Sequence, residues 1–339
     1  MRRIGAFFGW VLVSLVLAGV AAWSTLAIYF CGPGPEPVRT AGAWLFGAIG
    51  PIALLALAFR RTRVPALAAV VGMFAVALVF WVTTTPSNDR DWPPETAVLP
   101  YATFDGDLVT LHNIRNFDYR SETGFTPAYY DRTFDLRRMD RTDLVANYWM
   151  GPDIAHIFLS FGFGDEHLAI SIEARSERTE PYGTLRGFFR QYELVYAVGD
   201  ERDLIRVRAN YRKDPPEQVY LYRLFGPIEN GRRVFLDYLR DINALREQPR
   251  FYNTLATNCT TMILAHTVMN PDHPPYSWKV LLSGHVPEYL YETGRLDQSV
   301  PFEELQRRAH VNAAAQAADQ APDFSRRIRL ATDGVSPTP

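Results

Sequence analysis

The chain has 339 residues and a net charge of -2, with 37 Asp and Glu against 35 Lys and Arg. This balance argues against a nucleic-acid partner, because nucleic-acid-binding domains carry a marked excess of basic residues. Two cysteines are too few for a disulfide framework. The sequence also lacks HExxH, CxxC, calcium-loop and phosphate-loop motifs, so we expect neither a metal nor another cofactor.

The first 83 residues predict three transmembrane helices. Charged residues are scarce in this region, and three apolar runs are long enough to cross a bilayer: Ala6–Phe30, Ala41–Phe59 and Val64–Val82. The length of the first run, and the spans that follow it, favour a retained anchor over a cleaved signal peptide. Flanking arginines predict which ends stay in the cytoplasm, so the chain beyond the third helix should lie outside it: Arg2, Arg3, Arg60, Arg61 and Arg63.

The rest of the chain predicts a soluble α+β domain. Residues 84–100 are rich in proline and polar groups and predict a linker. Over residues 101–300, short apolar runs alternate with turn signals, which predicts an antiparallel sheet, and an amphipathic helix is expected over Pro227–Gln248. Residues 301–339 predict a C-terminal helix and a polar tail, disordered from Ala321 onward. The predicted strands are LVTLHNI, IAHIFLSFGF, LAISIEA, YELVYAV, LIRVRA and VYLYRLF.

Cys259 is the first candidate for chemistry. It lies among polar residues, in TNCTT, just before an apolar run at helical spacing, so we expect a helix to begin there. The N-terminus of a helix lowers the pKa of a thiol and can hold a developing oxyanion. A buried structural cysteine is the alternative. A bridge from Cys259 to Cys31 would silence the thiol, and we expect both cysteines to be free.

A thiol nucleophile needs a base, and His156 is the best of the seven histidines. His266 would lie about two turns along the same helix, roughly 10 Å from Cys259, which is too far for a hydrogen bond. His285 is a reserve candidate in a turn context. His156 instead interrupts a predicted strand whose other face is apolar.

The strand that follows supplies a carboxylate for His156. Residues 162–166 predict a turn, so the two strands should pair as a hairpin. If their apolar faces line one core, Glu173 must share a face with His156, directly opposite or one pair away. A carboxylate there fixes the imidazole tautomer and stabilises its charged form. A surface ion pair on a solvated sheet face is the alternative.

Five segments, in this order, resemble the Lnb-like periplasmic domain family. The resemblance covers roughly Leu99–Asp297, and the helices before it are not part of it. The segments are TLHNIRNFDYRSE, AHIFLSFGF with LAISIEARSE, RQYELVYAVGDERDLIRVR, YNTLATNCTT and YLYETGRLD.

The resemblance implies a permuted papain-like (NlpC/P60-type) thiol fold, with Cys259 as nucleophile and His156 as base. Glu173 as the third member follows from the strand pairing. Asn258, Arg115 and Tyr119 are candidates for substrate binding, and buried polar scaffolding is the alternative for the last two.

The activity that the resemblance implies is lipoprotein N-acylation. An acyl chain would pass through a thioester to the amino group of a lipidated N-terminal cysteine. The expected partners are bacterial lipoproteins, phospholipid acyl donors and membrane lipids, at the periplasmic face of the inner membrane. A cell-envelope cysteine peptidase or amidase of the NlpC/P60 type would use the same cysteine and histidine, but its groove should be polar, whereas an acyl-chain site should be apolar. A membrane-tethered binding module with an inactive site is the third alternative.

Overall fold

The computed structural model describes residues 2–330 and 332, which form eleven α-helices and ten strands, besides five short 3-10 and π-helical turns. The helices are α1 (Arg2–Cys31), α2 (Glu36–Ala56), α3 (Arg63–Thr83), α4 (Pro94–Ala97), α5 (Glu201–Arg206), α6 (Ile228–Glu247), α7 (Cys259–Thr267), α8 (Val286–Glu292), α9 (Phe302–Ala309), α10 (Asn312–Ala317) and α11 (Phe324–Arg329). The strands are β1 (Tyr101–Asp105), β2 (Leu108–Arg115), β3 (Asp118–Tyr119), β4 (Phe125–Thr126), β5 (Tyr129–Asp135), β6 (Arg141–Tyr148), β7 (Ala155–Phe163), β8 (Glu166–Arg175), β9 (Glu193–Asp200) and β10 (Gln218–Arg223). The predicted α+β class is confirmed.

The chain divides into two compact units. The first runs to Ser87 and includes Glu180–Glu193, and the second comprises Asn88–Thr179 and the chain from Leu194 onward. The first unit holds α1, α2 and α3, which are long and apolar enough to cross a membrane. Their bounds agree with the three predicted spans to within a few residues, except that α2 begins and ends earlier.

The second unit is built on a mixed sheet with the order β1-β2-β9-β8-β7-β6-β10, and β5 also pairs with β2. Most neighbours are antiparallel, whereas β2 and β9 meet in parallel at Arg115 and Gly199. The β7–β8 hairpin turns through Gly164 and Asp165, since Phe163 pairs with Glu166. Gly164 has a φ of +72°, a conformation that glycine adopts without strain.

Both faces of the sheet are covered. On one face, α6 packs against β7, where the rings of Phe161 and Phe235 lie 5.0 Å apart. On the other face, buried residues of β6, β7 and β8 form a cluster with residues of α5, α10 and α11. Phe158 belongs to this second cluster and shares its strand face with His156. The solvated sheet face considered as an alternative is therefore absent here, since this face carries a core of its own.

Three predicted elements differ from the structure. Leu204–Ala209 is wrong as a strand: it forms the end of α5 and the π-helical turn Val207–Tyr211, and acidic residues in the first turn of α5 favour the helix. From Asn88 onward, the predicted linker (residues 84–100) belongs to the second unit. Trp92 of this segment is buried, and the Arg175 guanidinium lies 4.0 Å from its ring centroid.

The expected disorder from Ala321 is also wrong as far as Leu330. In this segment, α11 is held by Arg329, which forms buried ion pairs with Asp143 (2.7 Å) and Glu201 (2.6 Å). Buried opposite charges and the apolar side chains of Phe324 and Ile328 offset the ordering of this helix. The remainder of the predicted disordered tail, residues 331 and 333–339, lies outside the described residues.

Candidate active site

Cys259 is the first residue of α7, as predicted, and its neighbours cap the helix. The Asn258 side-chain oxygen accepts a hydrogen bond from the Thr261 backbone N–H at 2.9 Å, and the Thr261 hydroxyl accepts one from the Asn258 N–H at 3.0 Å. This reciprocal capping box fixes where the helix starts. It leaves the Cys259 thiol beside the positive end of a helix, where a thiolate is stabilised.

The structure brings His156 next to Cys259, close enough for charge and hydrogen bonding between the two side chains to shift the pKa of each. The β7–β8 ladder ends at the pair Leu159 and Ile170, although both strands continue past it. Beyond that pair the Ile157 N–H donates a hydrogen bond to the Cys259 sulfur. The thiol therefore occupies the place where the two strands part.

Glu173 lies against His156, which confirms the predicted adjacency. The His156 Nε2 atom is 3.2 Å from the Glu173 Oε1 atom. The Ser171 hydroxyl bridges the two, since it lies 2.6 Å from Nε2 and donates to Glu173 at 2.7 Å. A hydroxyl that donates to the carboxylate accepts from the ring, so Nε2 carries a proton and Nδ1 is the nitrogen left for the thiol.

The charges around this pair favour an ionised thiol and a charged imidazole. Burial opposes the charge on His156, but the Glu173 carboxylate and the Cys259 sulfur outweigh it and raise the pKa of His156 to about 9. Burial likewise opposes the thiolate, but the His156 charge and hydrogen bond lower the pKa of Cys259. The pair is therefore set up as a thiolate and an imidazolium.

Arg208 completes the arrangement and was missed at the sequence level. Its Nη2 atom donates to Glu173 at 2.8 Å, and the side chain is almost fully buried. Burial would raise the pKa of Glu173, but His156, then Arg208 and Ser171, hold that pKa well below its usual range. Strand alternation places Ser171 on the same face of β8 as Glu173, so the sequence could have predicted the serine. No local pattern predicts Arg208.

The other candidate residues lie in structural contacts. Arg115 forms a buried ion pair with Asp203 at 2.6 Å and donates to the Tyr119 hydroxyl at 3.2 Å. These contacts favour scaffolding over substrate binding for Arg115 and Tyr119. Asn258 is engaged in the helix cap and in a bond to the Thr254 carbonyl at 2.7 Å. Substrate contact by these three residues stays a prediction.

The two remaining histidines of interest have other partners. His266 is buried against the Tyr196 hydroxyl and the Asp237 carboxylate, both at 2.6 Å. His285 bonds to Asp153 at 2.9 Å. Across the described part of the chain, no three His, Cys, Asp or Glu side chains gather as ligands for a metal ion.

A mainly apolar cavity of about 390 Å³, a volume in the range of small-molecule sites, is lined by the chain neighbours of His156 and Cys259, although not by these two residues themselves. Ile157, whose N–H bonds to Cys259, lines it, and so does Thr260, the next residue on α7. Its other apolar lining residues include Leu144 and Leu159 of the sheet, Val234 of α6, Ile263 and Leu264 of α7, and Val280, Val286, Tyr289 and Leu290 after it. Polar side chains line it as well, among them Asp140, Arg141, Arg223, Asp272 and Arg295. No sequence motif indicates this cavity, because it arises only where distant elements meet.

Comparison with protein families bears on the same part of the chain. Residues 125–284 match the family described as the Lnb N-terminal periplasmic domain. The chain carries an Lnb-like periplasmic domain. The matched residues include the Cys259, His156 and Glu173 side chains, as well as Ser171 and Arg208, whereas Arg115 and Tyr119 precede the match. No curated protein and no solved structure matches the chain. With three membrane-capable helices ahead of this Lnb-like domain, the chain is a membrane protein with a periplasmic domain.

Proposed function

We propose that this protein is a cysteine-dependent lipoprotein N-acyltransferase, anchored in the bacterial inner membrane by its three helices. Cys259 would carry the acyl chain as a thioester, and the acceptor would be the amino group of a lipidated N-terminal cysteine. Arginines at the N-terminal ends of the first and third helices favour a multi-pass arrangement with the Lnb-like domain in the periplasm.

In the first half-reaction, the Cys259 thiolate attacks the carbonyl carbon of an acyl ester. The new C–S bond replaces the C–O bond to the alcohol, and the His156 imidazolium gives its proton to the leaving alcohol. Backbone N–H groups at the start of α7 face the developing oxyanion. The products are the thioester and a neutral imidazole.

In the second half-reaction, an amine attacks the thioester carbon. The C–N bond forms, the C–S bond breaks, and His156 takes the proton that the amine loses. The thiolate and imidazolium are thereby restored. Glu173 and Ser171 keep the imidazole oriented throughout, because their contacts with Nε2 fix it as the protonated nitrogen, and Arg208 holds Glu173 in place.

The apolar cavity beside Cys259 is the observation that carries this proposal over the peptidase alternative. A peptidase of the NlpC/P60 type would share the thiol and the imidazole, but it needs polar groups to bind a peptide backbone. Here the apolar walls of the cavity include Ile157, Ile263, Leu264 and Val280. Such walls suit a hydrocarbon chain, whose burial is favourable by about 0.8 kcal/mol for each methylene.

Trapping the thioester tests the proposal. Full-length protein in detergent is incubated with acyl-labelled phospholipid and, separately, with acyl-labelled diacylated lipoprotein, then denatured and treated with neutral hydroxylamine. We expect hydroxylamine-labile label on Cys259 from at least one donor, and the donor that gives it identifies the acyl source. Cys31→Ser is the matched cysteine control and should keep the label, whereas Cys259→Ala should lose it.

The same experiment also defines the result that would contradict the acyltransferase proposal. If neither donor labels a protein whose Cys259 still reacts with an alkylating agent, the acyltransferase proposal is wrong. Cleavage of a peptidoglycan-derived peptide by the same preparation, dependent on Cys259 and His156, would then establish the peptidase.

A further inference from the structure

The two ends of the apolar cavity differ in chemistry. One end lies at Ile157 and Thr260, the chain neighbours of His156 and Cys259. From there the cavity follows one face of α7, whose lining residues recur at helical spacing: Thr260, Ile263, Leu264 and Thr267. At 1.5 Å per residue, this wall extends roughly 10 Å from the nucleophile.

Past the end of α7, the cavity is lined by polar side chains that are partly exposed. Asp272 accepts hydrogen bonds from the Asn230 side chain at 2.9 Å and from Arg295 Nη1 at 2.8 Å, and all three residues line the cavity. Arg295 donates a second bond to the Asp272 carbonyl oxygen. The Phe225 N–H bonds to the Arg295 carbonyl at 2.8 Å, which ties this closure to the loop after β10. We call Asn230, Asp272 and Arg295 the polar closure.

We infer that the cavity holds the acyl chain of the Cys259 thioester and that the polar closure sets the longest chain it accepts. This inference rests on the proposed function. It adds a binding site for a hydrocarbon chain and a determinant of chain length.

The physical reason is that the lining of the cavity changes from apolar to polar side chains along its length. A methylene that contacts Ile263 or Leu264 leaves water for an apolar surface, whereas one that reaches Asp272 and Arg295 must displace the water that solvates their charges. A chain that is too long must bend or leave its end outside. Each methylene that does not fit should lower the loading efficiency about fourfold.

Two substitutions should move the limit in opposite directions. Ile263→Trp fills the middle of the cavity and should favour shorter chains. Arg295→Ala removes the guanidinium from the polar closure and should admit longer ones. Met262→Trp, one position earlier on α7 and outside the cavity wall, controls for the bulk of tryptophan. Asp135→Ala, which breaks the exposed pair with Arg137, controls for loss of an arginine–aspartate contact.

The experiment loads full-length protein in detergent with p-nitrophenyl esters of saturated acids from hexanoic to stearic. Intact-protein mass spectrometry measures the thioester on Cys259 for each length. We expect the unsubstituted protein to form the thioester only up to a limiting chain length. This limit should be shorter in Ile263→Trp, longer in Arg295→Ala, and unchanged in the two controls.

The outcomes separate the two claims. Thioesters that form with no cut-off, or with a cut-off that neither substitution moves, would overturn the length inference and leave the proposed chemistry standing. Shifts that also appear in Met262→Trp or Asp135→Ala would overturn it as well, because they would reflect general loosening. If no ester of any length acylates Cys259, the proposed function fails, and the inference fails with it.

Discussion

Glu173→Gln is the most direct test of the electrostatic arrangement around the thiol. The substitution keeps the shape of the side chain and its capacity to accept a hydrogen bond from Arg208 and Ser171. It removes the negative charge that lies 3.2 Å from His156 Nε2. We expect the Cys259 thiolate to become scarce near neutral pH.

The size of the effect follows from the pKa of His156. Raising this pKa from 6.5 to about 9, against the cost of burial, corresponds to about 3 kcal/mol in favour of the imidazolium, and the Glu173 charge is its largest favourable source. Without the Glu173 charge, less opposes the destabilisation of the imidazolium by burial. The pKa of His156 should therefore fall by roughly one to three units. Removing the Glu173 charge also relieves its direct repulsion of the thiolate, which offsets part of this loss. The population of the thiolate–imidazolium pair should therefore drop roughly ten- to a hundredfold.

The assay is the rate at which iodoacetamide alkylates Cys259, followed by intact-protein mass spectrometry from pH 5 to 10. The unsubstituted protein should react rapidly from mildly acidic pH upward, because its thiol pKa is lowered. Glu173→Gln should react rapidly only at alkaline pH. Glu177→Gln is the matched control, since Glu177 pairs with Arg90 at the surface (2.9 Å) and should leave the profile unchanged.

The reasoning would be refuted if Glu173→Gln, folded as judged by its thermal transition, reacted at pH 6.5 within a factor of two or so of the unsubstituted protein. That result would mean that the start of α7 and the Ile157 N–H stabilise the thiolate without help from His156.

Three further substitutions and a pH profile probe the same molecule. Ser171→Ala should slow acylation roughly tenfold in a thioester-formation assay, less than Glu173→Gln, because the direct contact of His156 with the carboxylate remains. The acylation rate should fall above about pH 9, as His156 loses the proton that the leaving alcohol needs, while alkylation does not fall. Asn258→Ala should destabilise α7 by about 1 kcal/mol, and Asn258→Asp should restore it, in chemical unfolding. Arg329→Ala should lower the free energy of unfolding by about 3–5 kcal/mol, because it leaves two buried carboxylates unpaired. Arg326→Ala, at the surface, should lower it by less than about 1 kcal/mol, and thermal unfolding measures both.

The sequence predicted the central hairpin because its information is local. Alternating side chains define the two faces of β7 and β8, and the tight turn between them fixes which residues of the two strands share a face. The adjacency of His156 and Glu173 could therefore be predicted residue by residue. The start of α7 was likewise predictable, since Asn258 and Thr261 have the side chains that a capping box requires.

The parts that escaped prediction depend on distant partners. The segment around Arg208 alternates like a strand, and its burial between the sheet and α10 adds to the helix signal of the acidic first turn of α5. The polar composition of α11 suggests disorder until Arg329 is seen to meet Asp143 and Glu201, which lie far away in the sequence. The cavity is a space between elements, and no periodicity in one segment reports it.

Arg208 links the architecture of the sheet to the chemistry of the thiol. The charges of Arg208, Glu173, His156 and Cys259 alternate in sign, so each buried charge has an opposite neighbour, as burial requires. Because Arg208 and His156 hold the pKa of Glu173 low, the carboxylate does not take the imidazole proton, and that proton remains available to the leaving alcohol. Arg208 comes from the layer on one face of the sheet and Cys259 from α7 on the other. The parting of β7 and β8 beyond Leu159 and Ile170 is what lets the two layers meet at a single imidazole.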